Sequence, residues 1–223
     1  LPVVLMTGAA SVEYTIRALR MGASNLFMKP LSIRDLISSV FHLVELHREF
    51  RLAQDGLKGL TEERRSFSFR SDELDIPSLI RHLTDRLVPM GFAQPANLDV
   101  IAMAYHEALV NALEHGNFEL SSSLKGDLFS DEDPYSDLRR QRLQDETYAA
   151  RMVHVRTRLD VNRYEVEIED QGQGFDAKRL DPRSASDLLR TCGRGLPLIQ
   201  TVMDEVKFND RGNCACLVLV KKP

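Results

Sequence analysis

Glu107, Asn111 and His115 stand four residues apart in a run, Leu98–Gly116, that has helical periodicity. Spacing of i, i+4 and i+8 puts all three on one side of a helix. An apolar stripe of Leu98, Ile101, Tyr105, Ala108 and Ala112 lies beside them. A carboxylate and an amide half turned toward a core are costly to bury without a task. Glutamate can take a proton from an attacking hydroxyl or water. Asparagine offers a neutral oxygen suited to octahedral Mg²⁺, which otherwise keeps waters and phosphate oxygens. His115 ends the run, where a cationic cap suits the helix dipole.

Two glycine motifs follow. Tyr164, Val166 and Ile168 alternate with Glu165, Glu167 and Glu169, which predicts a strand with one wet face in an antiparallel or mixed sheet. That strand runs into Asp170-x-Gly172-x-Gly174. A carboxylate at a strand end followed by glycines suits an aspartate aimed at a base edge, with backbone close to a ligand. Gly193-Arg194-Gly195 opens a predicted helix over Leu196–Met203. Glycines at a helix start expose amide N–H groups to phosphate, and Arg194 can reach a terminal phosphate bidentately. Phe175–Thr191 reads as a short lid between the two motifs. The alternation of NCACLVLV predicts a closing strand with Cys214 and Cys216 on one face as small apolar residues.

In this order, HEALVNALEHGN (His106–Asn117), DQGQGFD (Asp170–Asp176) and CGRGLPLIQTVMDEV (Cys192–Val206) resemble the nucleotide site of the ATPase/kinase superfamily that includes gyrase and histidine kinases. HGN closing the first segment and GRGL in the third resemble the branch of anti-sigma-factor serine/threonine kinases. The resemblance covers about residues 66–223. It implies an α/β two-layer sandwich of the GHKL (Bergerat) ATP-binding fold, with helices on one face of a mixed sheet. It also implies ATP and Mg²⁺ as cofactors. Asn111 would hold Mg²⁺, Glu107 would orient the nucleophile, and Asp170 would accept from the adenine amino group. Gly172, Gly174, Gly193, Arg194 and Gly195 would complete the ATP site. Residues 118–150 read as a charged insert with no core of its own, helical over Tyr135–Asp145, and a plausible interaction surface.

PVVLMTG (Pro2–Gly8) and NLFMKP (Asn25–Pro30) read as buried parallel strands flanking a helix over Val12–Met21. The joint pattern T-G…A-x-x-x-G-A…K-P resembles the C-terminal half of a doubly wound response-regulator receiver domain, here residues 1–46. The resemblance makes Thr7 the switch hydroxyl, Lys29 the lysine that pairs with the phosphoryl group, and Pro30 the following proline, often cis. It implies an upstream phosphodonor kinase. A receiver's acceptor aspartate and acidic Mg²⁺ pocket belong to segments not in this sequence. Leu1 opens inside what reads as a strand, so further residues are expected upstream.

A helix is predicted from Leu31 to about Leu60, and residues 47–65 read as a helical linker. Leu36, Val40, Leu43, His47, Phe50, Gln54 and Leu57 recur at steps of four and three, a heptad seam diluted by His47 and Gln54. The helix either packs on its own domain or joins a homodimer. Gly56 and Gly59 weaken its end.

Hydrophobic content of 43%, charged content of 28% and a net charge of −4 are ordinary for a globular protein and give no reason to bind nucleic acid. No apolar run approaches the ~18 residues of a membrane span. Three cysteines suggest a reducing, cytoplasmic setting, and Cys214-x-Cys216 lacks the further ligands of a zinc site. The expected function is an ATP-dependent serine/threonine kinase governed by the receiver. Its partner would be a small antagonist (STAS-like) protein, or a sigma factor that it binds and inhibits. Two rivals stand beside it. A histidine kinase would need His47 in ELHREF as acceptor, without the proline-containing sequence that usually follows. A non-catalytic switch would use Glu107 and Asn111 for binding alone.

Overall fold

Alternating residues build the sheet that carries the site. In the computed structural model, which describes residues 3–8, 25–30, 32–57, 59–121, 133–175 and 195–222, the chain forms two compact units. One is Leu1–Gly59 with Gln94–Ala96, and the other is Leu60–Ala93 with Asn97–Pro223.

In the first unit, β1 (Val4–Thr7) and β2 (Asn25–Met28) pair in parallel, Thr7 opposite Met28. The parallel pairing matches expectation, but the burial does not: Leu5 and Met6 are exposed. Two strands alone cannot cover both faces of a sheet. The Lys29–Pro30 peptide bond is cis. The predicted helix at Val12–Met21 lies outside the described residues. Helix α1 runs over Ile33–Leu57 and stops between the two expected weak points, Gly56 and Gly59. Of the expected seam, Leu36 and Leu57 are half-buried and Val40 is exposed, while the side chains of Leu43, His47, Phe50 and Gln54 lie outside the described residues. An exposed apolar flank of Ile33, Ile37, Val40, Phe41 and Val44 runs along the N-terminal half.

The second unit opens with strand β3 (Glu62–Arg70), so residues 62–65, expected in the helical linker, are sheet. The period of two in EERRSFSFR, which half-buries Glu63, Arg65, Phe67 and Phe69, decides this. Helix α2 (Ile76–Thr84) follows Asp75 and carries Pro77 in its first turn. Helix α3 (Leu98–Val110) continues into a π-helix over Asn111–Asn117. The insert contributes α4 (Pro134–Gln144) and α5 (Glu146–Ala149). Then come β4 (Met152–Asp160), β5 (Arg163–Glu169), α6 (Gly195–Val202), β6 (Glu205–Phe208) and β7 (Cys214–Val220).

The five strands lie in the order β3-β4-β5-β7-β6, and every pairing is antiparallel. This corrects the expected mixed sheet. The β4–β5 and β6–β7 connections are short hairpins, which can join only antiparallel neighbours. One sheet face packs on α2, α3 and α6 through Leu83, Tyr105, Leu109, Val155, Val166, Ile199 and Leu217. The other is wet, with Arg156 bridging Glu167 and Glu169 across strands. Cys214 and Cys216 share that outer face opposite Glu169 and Glu167. Burial pushes the Cys214 thiol up to about 11, and Cys216 upward too.

The insert shares a small core with the π-helix and with Leu74 and Ile76 rather than having one of its own. Leu113, Phe118, Leu120 and Tyr135 are buried together, with Leu138, Leu143 and Tyr148 against them. The segment is poor in apolar residues, but these few converge because α4 returns onto the π-helix. Asp133 starts α4 by accepting from Ser136 N at 3.1 Å, with Pro134 in the first turn.

Candidate functional site

Helix α3 is fixed by Ile101, Ala104, Tyr105, Ala108 and Leu109, all buried against the sheet. That leaves Glu107 and Asn111 half-buried on its flank. Both meet the start of α6. A Cβ on Gly195 would stand 2.5 Å from Glu107 Oε2 and 3.7 Å from Asn111 Nδ2. Glycine at this helix start is therefore what lets backbone reach the carboxylate and the amide.

At Asn111 the helix widens to π geometry, a form that often marks functional segments. The wide turn turns His115 and Gly116 toward β5 and the loop after it. His115 Nδ1 lies 2.6 Å from the Leu120 carbonyl. Gly116 fits against the Asp170 carboxylate: a Cβ there would fall 2.5 Å from Oδ1 and 2.7 Å from Oδ2. Gly172 in turn packs on the Gly116 backbone.

Asp170 is nearly buried, and its Oδ1 accepts from Gly172 N at 2.8 Å. Burial lifts its carboxyl to about 6, against the lowering effect of that N–H and of Arg211. Its backbone is locked to the β6–β7 turn: Asp170 N donates to Asn213 O at 2.9 Å, and Asn213 Nδ2 donates to Asp170 O at 2.7 Å. Gly174 and Gly212, both with φ of +75°, allow the two loops to touch at Arg211 and Phe175.

These pieces enclose a cavity of about 530 Å³. Asn111, His115, Gly116, Asp170 and Gly174 line it, with Ile168, Leu196, Ile199 and Leu217 as apolar walls and Phe175 and Phe208 along one side. The two phenyl rings meet edge to face at 5.1 Å. The cavity thus has an amide at one point, a buried carboxylate at another, and apolar surface between. That is the usual make-up of a small-ligand site. A flat apolar base whose amino group donates to Asp170 fits it. Among the described residues no group of three or more His, Cys, Asp or Glu is placed to hold a metal ion. The Asn111 amide oxygen could hold Mg²⁺ together with phosphate oxygens and waters.

Of the expected site residues, Asn111, Asp170 and Gly174 line the cavity, Gly172 backs Asp170, and Glu107 and Gly195 adjoin Asn111. Gly193 and Arg194, with the lid from residue 176, lie outside the described residues. Thr7 and Lys29 belong to the first unit, where Lys29 N donates to Thr7 O at 2.8 Å. His115, expected only as a cap, also lines the cavity.

Asn117 had no expected role and proves to be the site's main tie. Fully buried, it donates through Nδ2 to Ser71 Oγ at 2.8 Å and Met152 O at 3.1 Å, and its Oδ1 accepts from Gln171 N at 2.7 Å. It joins the π-helix to the ends of β3 and β4 and to the residue after Asp170. The signal for it was the last letter of HGN.

A family model for the histidine kinase-like ATPase domain matches residues 141–221. The match begins within α4 and reaches β7, covering Asp170, Gly172, Gly174 and Gly195 but not Glu107 or Asn111. The antiparallel sheet with helices on one face fits that fold. No curated protein matches the chain. Among the described residues no helix is long and apolar enough to cross a membrane.

Proposed function

We propose that the second unit binds ATP with Mg²⁺ and phosphorylates a serine or threonine of a small antagonist (STAS-like) protein. The receiver-like first unit would govern this activity in response to an upstream phosphodonor kinase. The observation that carries the reading is the pairing of two polar points across one apolar cavity: Asp170 at the base end, and Asn111 with Glu107 and Gly195 at the other. The histidine kinase-like ATPase match supports it.

Asp170 accepts the amino N–H of adenine, and Gly116 and Gly172 keep room for that carboxylate. Asn111 holds Mg²⁺ through its amide oxygen. MgATP supplies the phosphoryl group, with its charge already partly neutralised. Glu107 accepts the proton of the substrate hydroxyl as its oxygen bonds to the γ-phosphorus and the bond to the β-phosphate oxygen breaks, leaving ADP. Gly195 lets the α6 amides approach phosphate.

Calorimetry and a phosphotransfer assay test this together. Asn111→Ala should weaken MgATP binding far more than metal-free ATP binding. Glu107→Gln should bind MgATP normally and lose about 10²–10⁴ in transfer rate. Unchanged nucleotide affinity in Asn111→Ala would remove the case for the site. A stable acid-labile phosphate on His47 would instead establish a histidine kinase.

A further inference from the structure

The insert grips the site helix from behind. Tyr135 on α4 donates to Glu114 Oε2 at 2.5 Å, and Arg139 Nε, one turn on, donates to Oε1 at 3.0 Å. Both oxygens of Glu114 are thus engaged by α4. The Glu114 side chain is only 14% exposed, and Tyr135 is buried. Around this pair lies the small core that Leu113 of the π-helix forms with Phe118 and Leu120 of the insert.

Glu114 is the middle residue of the π-helix. Such wide turns have poorer geometry than α-helix and persist where their surroundings over-determine them. Here Phe118 N reaches back to Leu113 O at 2.9 Å, and Leu120 N to Glu114 O at 2.8 Å. Helix α3 before the wide turn is held by the main core. Relaxing the turn to α geometry would shift everything after it by one residue, a rotation of about 100°. Gly116 would leave the Asp170 carboxylate, while Glu107, Asn111 and His115, which share one side of an α-helix, stayed near the cavity.

We propose that Tyr135 and Arg139 are positioning residues for nucleotide binding: through Glu114 they hold the π-helix, and so seat Gly116 against the Asp170 carboxylate at the base end of the cavity. This rests on the nucleotide reading above and adds that the insert sets affinity. The clamp acts after Asn111 in the chain, so its loss should weaken binding with and without Mg²⁺ alike.

The test is the Tyr135→Phe/Arg139→Met double variant of the full chain, read by amide exchange and ATP titration. Exchange at Phe118 and Leu120 should accelerate about tenfold or more, and ATP affinity should fall about tenfold with and without Mg²⁺. Arg139→Lys, which keeps the cation, should stay within about threefold of wild type. If the double variant does not fold, Glu114→Gln replaces it. That change keeps an acceptor for Tyr135 and removes the ion pair, and its expected loss is about threefold. Exchange and affinity both within about twofold of wild type would overturn the proposal. Faster exchange with unchanged affinity would overturn its link to binding and leave the nucleotide reading standing. A wild-type protein that binds no ATP would overturn that reading, and exchange would still report on the clamp.

Discussion

Asp170 shows how a buried carboxylate costs stability. Burial lifts its carboxyl to about 6, so between about pH 4 and pH 6 the folded chain holds this proton more tightly than the unfolded chain. Its contribution to stability is therefore most favourable at low pH, declines as pH rises through that window, and is flat above it. Asp170→Asn keeps an oxygen for the Gly172 N–H and removes the buried charge. We expect it to be more stable than wild type by about 1–3 kcal/mol above pH 6, the difference vanishing below about pH 4. Melting curves at several pH values check this, and a pH-independent difference would refute it. The same variant should lose preference for ATP over GTP, because an amide can donate as well as accept. Tyr105 supplies a second case. Its hydroxyl is buried with no hydrogen-bond partner among the described residues, and burial raises its pKa well above the ordinary tyrosine value. Tyr105→Phe should therefore be neutral or stabilising by about 1 kcal/mol in denaturant unfolding.

At the scale of elements, the site is an interlock of glycines, and the two ends should fail differently. In Gly116→Ala the new Cβ meets the Asp170 carboxylate, which the Gly172 N–H holds in place. Overpacking of this kind costs about 1–3 kcal/mol, and adenine nucleotide binding should be lost with it. In Gly195→Ala the Cβ meets only the far end of Glu107, a flexible side chain that can swing aside. That variant should fold and keep adenine nucleotide binding, weakened by at most about tenfold, while phosphotransfer falls. Equal behaviour of the two in calorimetry and transfer assays would refute this division. Asn117→Ala should cost about 1–3 kcal/mol, since it removes the buried Asn117 amide that bonds Ser71 Oγ, Met152 O and Gln171 N.

For the whole molecule, the cavity and its core belong entirely to residues after Gly59. A chain beginning at Leu60 should keep ATP affinity within about twofold of the full chain. The exposed flank of Ile33, Ile37, Val40, Phe41 and Val44 on α1 is the kind of apolar stripe that joins helices. The full chain is accordingly expected to be a dimer and the shorter chain a monomer by light scattering. Equal masses would leave α1 without that role.

Periodicity was enough for several elements, while β3, α2, β4 and β6 were not read from it. Period two marked β5 and β7, period 3.6 marked α3, and the placing of Asp170 and Gly195 at element ends was readable because strand ends and helix starts have fixed chemistry. Glu107 and Asn111 share a helix face by spacing alone. Tertiary structure decided what spacing cannot encode. The π-helix departs from the 3.6-residue turn after Asn111, where it packs on α4 and β4. Asn117 took its role from four separate chain segments that meet nowhere in the sequence. The insert found a core because its few apolar residues fold back onto residues well before them. Local pattern reflects backbone geometry over a few residues; the Asp170 pKa, the Glu114 clamp and the Asn117 tie depend on which distant groups displace water around them.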